Sequence, residues 1–142
     1  MTMEYRYLTE GGVQAATEMM GPDGARLMDE RYEWWAGRVD DDWARILSGI
    51  IMNGMYARDV LPTATRELCA VAALTALHRI DELRNHLRIA LHCNPVEQVR
   101  EVILQMSILG GMPVTLNGLR ILDEVLAEGD VNTAEVVTLG DR

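Results

Sequence analysis

Residues 63–77 read TATRELCAVAALTAL, and past Glu67 the stretch is apolar or small on every face of a helix. A helix of that kind has no side to show to water, so it sits in the middle of a domain or against another subunit. The neighbouring sequence is helical as well. A short connection, His78-Arg79-Ile80, leads into a second helix from Asp81 to about Cys93, and the two read as a helical hairpin.

Boundary signals divide the rest of the chain. A first helix over 11–20 ends at Gly21-Pro22, and a second covers about 24–37. The run Asp40-Asp41-Asp42 offers a cap and negative charge to a helix starting near Trp43. Asn53-Gly54 reads as a break, and the chain must turn at Leu61-Pro62-Thr63. Asn94-Pro95-Val96-Glu97 has the pattern of an N-cap, a proline at N1 and a glutamate at N3. That helix runs to Leu109 and stops at Gly110-Gly111. Met112-Pro113 opens the last one, which ends at Glu128 before Gly129. Only Asp130 to Arg142, with VNTAEVVTL, looks like strand or tail. The expectation is an all-α single domain over 1–142, a bundle of about six to seven helices.

With 142 residues, four Tyr, three Trp and no Phe, the core is thin, and nine Met are available to fill its gaps. Apolar helix faces are therefore expected to be buried between copies of the chain. All 13 basic residues are Arg. Without lysine there is no Schiff-base chemistry and no P-loop of the Walker type. A formal charge of −9 repels a phosphate backbone, so nucleic acid is not expected as a partner. No apolar run approaches about 18 residues, so no membrane span is expected. The N-terminus MTMEYRYLTE lacks a basic-then-apolar signal pattern, and the protein is expected in the cytoplasm.

Glu82, His86, Ile89 and Cys93 form one stripe of the second hairpin helix. Glu82, one turn before His86, can accept its hydrogen bond and fix its tautomer, which on residues alone is an ordinary surface pair. Cys93 lies about 10 Å from His86 along the axis, too far for a thiol–imidazole pair. Glu67 sits one turn inside the most apolar helix, where a buried carboxylate needs a partner or a proton. Otherwise it is a first-turn acid favoured by the helix dipole. Arg66, Arg84 and Arg88 are candidates for holding a carboxylate substrate, because guanidinium binds carboxylate in a fork. Cys69, flanked by apolar residues, is expected as an inert core thiol. His78, His86 and His92 have no i, i+4 spacing and there is no CxxC, so no metal site is expected.

An ordered set of segments then carries a resemblance. It begins with Leu61-Pro62, Thr65-Arg66 and Ala76-Leu77. Glu82-Leu83-Arg84 follows with His86, then Ala90-Leu91, Glu101-Val102-Ile103-Leu104-Gln105 and Gly111-Met112-Pro113. Over roughly 60–127 the chain resembles the carboxymuconolactone decarboxylase family, which shares its fold with the alkylhydroperoxidase-D-like proteins. The resemblance implies a helical protomer in trimers or hexamers, and a lyase that uses neither metal nor organic cofactor on a small anionic substrate. The redox branch of that fold carries a CxxC pair ahead of the matching histidine, which this chain lacks. Glu67 and His86 match that branch's proton-relay pair. Where the decarboxylases read Ala-Leu-Asn-Asn-Gly, this chain has Ala90-Leu91-His92-Cys93-Asn94, with one residue fewer before the next helix. Leu109-Gly110 stands where they carry an aromatic before the glycine, and Glu67 replaces a small polar residue; these departures fall in the implied pocket wall.

The expected activity is decarboxylation of a carboxylated lactone, with His86 as proton donor, Glu67 or Glu82 as its tuner, and Arg66 or Arg84 binding the anion. Cys93 belongs to the expected substrate-binding set. The alternatives are a related cofactor-free isomerase, cyclase or ring-opening enzyme, a thiol peroxidase working through Cys93 alone, and a ligand-binding oligomer without catalysis.

Overall fold

The computed structural model describes residues 4–129, whose regular structure is all helical. The helices are α1 (Glu10–Met20), α2 (Gly24–Arg38), α3 (Asp41–Ile50), α4 (Thr63–Ala76), α5 (Ile80–Cys93), α6 (Val96–Leu109) and α7 (Met112–Ala127). A π-helical segment, Ile51–Tyr56, extends α3. No strand occurs among the described residues. The expected strand or tail at 130–142 lies outside them. They group into two compact units, one ending at Thr63 and one beginning at Ala64.

In the first unit the caps follow the sequence. The Thr9 side chain accepts a hydrogen bond from the Gly12 amide at the start of α1, and Asp40 accepts from the Trp43 amide at the start of α3. The core is built from Ala15, Ala16, Met19, Met20, Leu27, Met28, Tyr32 and Met52. Methionine fills the space that aromatic residues would take in a larger core. The expectation of a break at Asn53-Gly54 is corrected, because the helical path runs straight through it. A side chain on Gly54 would collide with the Gly49 carbonyl, so glycine is what permits the wider π turn there. Asn53 in turn is an anchor. Its Oδ1 accepts from the Thr9 amide and hydroxyl, and its Nδ2 donates to the Tyr7 carbonyl at 2.8 Å. Gly12 has no Cβ, which is what allows Asn53 to approach α1 so closely.

In the second unit, Val71 of α4 packs with Leu83, Leu87 and Ala90 of α5, Val99 and Ile103 of α6, and Ile121, Leu122 and Val125 of α7. The α4–α5 turn closes with His78 at φ 55, while the Arg79 amide donates to the Leu74 carbonyl. That is the C-terminal cap usually given to glycine. The expected N-cap role of Asn94 is also corrected. Pro95 precedes the first residue of α6 with no side-chain cap, and Asn94 ends α5 instead. Its Nδ2 donates to the carbonyls of Ala90 and Ala64, both at 3.1 Å.

Large apolar side chains remain exposed in both units. Ile46 and Ile50 lie on α3, while Ile108, Leu109, Met112 and Leu116 cluster in sequence around the α6–α7 turn. None of the described helices is long and apolar enough to cross a membrane.

Candidate active site

The helix that looked uniform in sequence has two distinct faces. Thr63, Glu67, Val71 and Thr75, each four residues apart, are buried, whereas Thr65, Cys69 and Ala73 are exposed. The expectation that Cys69 is a core thiol is therefore corrected: it lies on the exposed face. A shallow apolar groove beside it is lined by Thr65, Leu68 and Ala72 of α4 and by Val102, Gln105 and Met106 of α6. Small residues all round gave the sequence no periodic signal by which to choose a face.

Glu67 is completely buried, at 0% exposure. A carboxylate there without a partner would carry a desolvation cost of several kcal/mol. Its Oε2 lies 2.8 Å from Nδ1 of His86 on α5. The residue expected beside His86 from helical spacing, Glu82, is exposed in the first turn of α5. The histidine thus turns away from its neighbour on α5 and towards the apolar interior. Its side chain keeps 27% exposure. Glu67 engages Nδ1, which leaves Nε2 as the ring atom able to exchange a proton with a bound molecule. The two side chains meet directly across the α4–α5 hairpin.

Arg84 and Arg88 have carboxylate partners within the chain. Arg84 Nη2 pairs with Oε2 of Glu124 on α7, and Arg120 reaches the other oxygen of the same group. These hydrogen bonds, Arg84's first, hold the Glu124 carboxyl below the usual glutamate range. Arg88 forms a fork with Glu128, Nε to Oε2 at 3.0 Å and Nη2 to Oε1 at 2.9 Å, and it also donates to Oδ1 of Asn85. The fork lowers the Glu128 carboxyl likewise. Arg66 is half-buried on α4, beside Glu67 in sequence. Cys93 is half-buried in the last turn of α5, two turns beyond His86. Among the described residues, no three His, Cys, Asp or Glu side chains converge to hold a metal ion.

A profile of the carboxymuconolactone decarboxylase family matches residues 41–124, more than half of the chain. The chain belongs to that family. The 4-carboxymuconolactone decarboxylase of Acinetobacter baylyi is 29% identical over 129 residues, which cover 90% of this chain and 92% of that protein. As a carboxymuconolactone decarboxylase family member, the chain has its buried acid and its histidine on adjacent helices inside the matched segment. Asn94, which the sequence had given to α6, also lies within it and joins the same two helices. Its signal was misread because Asn before Pro is a helix start in most settings. Here it acts backwards along the chain.

Proposed function

We propose that this chain is a cofactor-independent carboxy-lyase acting in the cytoplasm on a small carboxylated lactone of the 4-carboxymuconolactone type. The observation that carries the reading is the 2.8 Å pairing of His86 Nδ1 with the buried Glu67 carboxylate. Family membership and the likeness to the Acinetobacter enzyme support the same reading.

In the proposed reaction the bond between the ring carbon and the carboxylate breaks and CO2 leaves. The electron pair passes into the conjugated carbonyl as a dienolate. A proton moves from Nε2 of His86 to carbon, and the imidazole regains one from solvent through its exposed edge. Glu67 fixes the ring orientation and stabilises the imidazolium before transfer. Arg66 and Arg84 are assigned to the substrate anion, with Glu124 competing for Arg84. Cys93 is assigned to the pocket wall.

The test is CO2 release from 4-carboxymuconolactone by the purified protein and by His86→Ala. General acid catalysis is worth about 10²–10⁴-fold, so kcat should fall by that order while KM changes far less. A variant that kept more than about a third of wild-type kcat would overturn the role of His86. Absence of CO2 release by the wild type would overturn the substrate.

The same reading takes the protein as a homo-oligomer, a trimer or a hexamer. It is supported by the exposed apolar side chains of α3 and of the α6–α7 turn, which are costly to leave in water. Light scattering at micromolar concentration should give a multiple of 15.9 kDa, and a folded monomer would count against it.

A further inference from the structure

The Asn94–Ala64 and His86–Glu67 ties both join α4 to α5, and their spacings disagree. On α4 the tied residues are Ala64 and Glu67, three apart, or about 4.5 Å of helix rise. On α5 the partners are Asn94 and His86, eight apart, or about 12 Å. Two helices running level cannot satisfy both ties by rise alone. The difference of about 7 Å is taken up by the inclination of one helix across the other and by the reach of the side chains. With two ties of unequal span, the position of Glu67 relative to His86 depends on whether the other tie is made.

We infer that Asn94 is a positioning residue for the Glu67–His86 pair. Its amide carries two donors. One closes the end of α5 on the Ala90 carbonyl, and the other crosses to the Ala64 carbonyl in the first turn of α4. The crossing bond holds that turn of α4 in place, and Glu67 follows one turn further along the same helix. Without it the start of α4 relaxes and the carboxylate moves off Nδ1. A displacement of about 1 Å in such a pair costs up to about 10²-fold in rate. The inference rests on the proposed role of His86 only for its effect on turnover, because the geometry is readable without substrate.

The experiment compares Asn94→Leu, Asn94→Ser and Asn94→Gln with Glu67→Gln in the full chain. Asn94→Leu keeps the size and loses both donors. Asn94→Ser can still bond the carbonyl four residues back, as a short hydroxyl does, but is too short to cross to Ala64. Asn94→Gln keeps both donors. The first readout is the nitrogen-15 chemical shift of His86 Nδ1, which reports its hydrogen bond with Glu67, without substrate. The Leu and Ser variants should both move it at least halfway to the Glu67→Gln value, and the Gln variant should return it towards wild type. The second readout is CO2 release. The Leu and Ser variants should lose at least about tenfold in kcat, with KM within about twofold. A wild-type Nδ1 shift in the Ser variant would show that Asn94 only caps α5, and a wild-type Nδ1 shift in the Leu variant would remove its influence altogether. Either result overturns the inference. A changed Nδ1 shift in the variants of a protein that releases no CO2 would uphold the tie and overturn the proposed activity instead.

Discussion

Glu67 and His86 are separated by 19 residues in the chain and by 2.8 Å in space. The carboxylate is sealed from water, and the half-exposed imidazole links it to the surface. Replacing Glu67 with Gln preserves the shape and removes the charge. The amide can then present either a donor or an acceptor to Nδ1, and the tautomer is no longer fixed. The expected outcome is a loss of about 10²-fold or more in kcat with the helical circular dichroism intact, read by steady-state kinetics beside a spectrum.

Glu82 serves as the matching control. It is exposed in the first turn of α5, where a negative charge gains from the helix dipole. Glu82→Gln should leave kcat within about twofold and cost about 0.3–1 kcal/mol of stability, measured by urea unfolding. A kcat loss comparable to that of Glu67→Gln would move the relay to Glu82.

Cys69 lies on the exposed face of α4 and Cys93 is half-buried in the last turn of α5. The Cys69→Ser, Cys93→Ser double variant should therefore keep more than half of the wild-type turnover. A loss above about tenfold in a folded double variant would assign one sulfur to the chemistry.

His78 holds a left-handed backbone at φ 55, a conformation that costs an L-residue about 1–2 kcal/mol. His78→Gly removes that strain but gives the unfolded chain more freedom. The net gain should be about 0.5–1 kcal/mol, or about 2–4 °C in Tm by scanning calorimetry. His78→Ala should show no gain, because it keeps a Cβ.

These positions also show what the sequence made legible. Gly21-Pro22, Asp40 and Gly110-Gly111 mark helix ends by local chemistry, so α1, α3 and α6 have boundaries within a residue or two of those read from the sequence. The family resemblance named Glu67 and His86 together, and the two side chains lie 2.8 Å apart. What stayed hidden depends on distant partners. Spacing along α5 offered Glu82 as the partner of His86, because Glu67 reaches it only by the way two helices cross. Asn53 looked like a turn residue because its partners lie 44 and 46 residues away. Cys69 was placed in the core because a helix of small residues has no preferred face.

Acid should loosen the second unit before neutral or mildly alkaline pH does. Glu128 has an ordinary value of 4.5 and is lowered in the folded chain by the Arg88 fork, as Glu124 is by Arg84. A lowered folded-state pKa means stability that is present above about pH 4.5 and lost as pH falls through the depressed values. Glu128→Gln should lower stability by about 1 kcal/mol at pH 7 and flatten the loss below pH 4.5. Urea midpoints between pH 3 and pH 7 measure both.

The anchor at Asn53 bears on how the protein ages. Asparagine followed by glycine deamidates readily when the glycine nitrogen can swing onto the side-chain carbon. While α1 and the π segment are packed, three hydrogen bonds hold the Asn53 amide away from that attack. In an opened first unit nothing does. The aspartate so formed has no donor for the Tyr7 carbonyl and sets a negative charge against it, so the opened chain cannot close as it was. Each opening risks a lasting chemical scar, and the useful lifetime of the molecule is set by how rarely its N-terminal helix lets go.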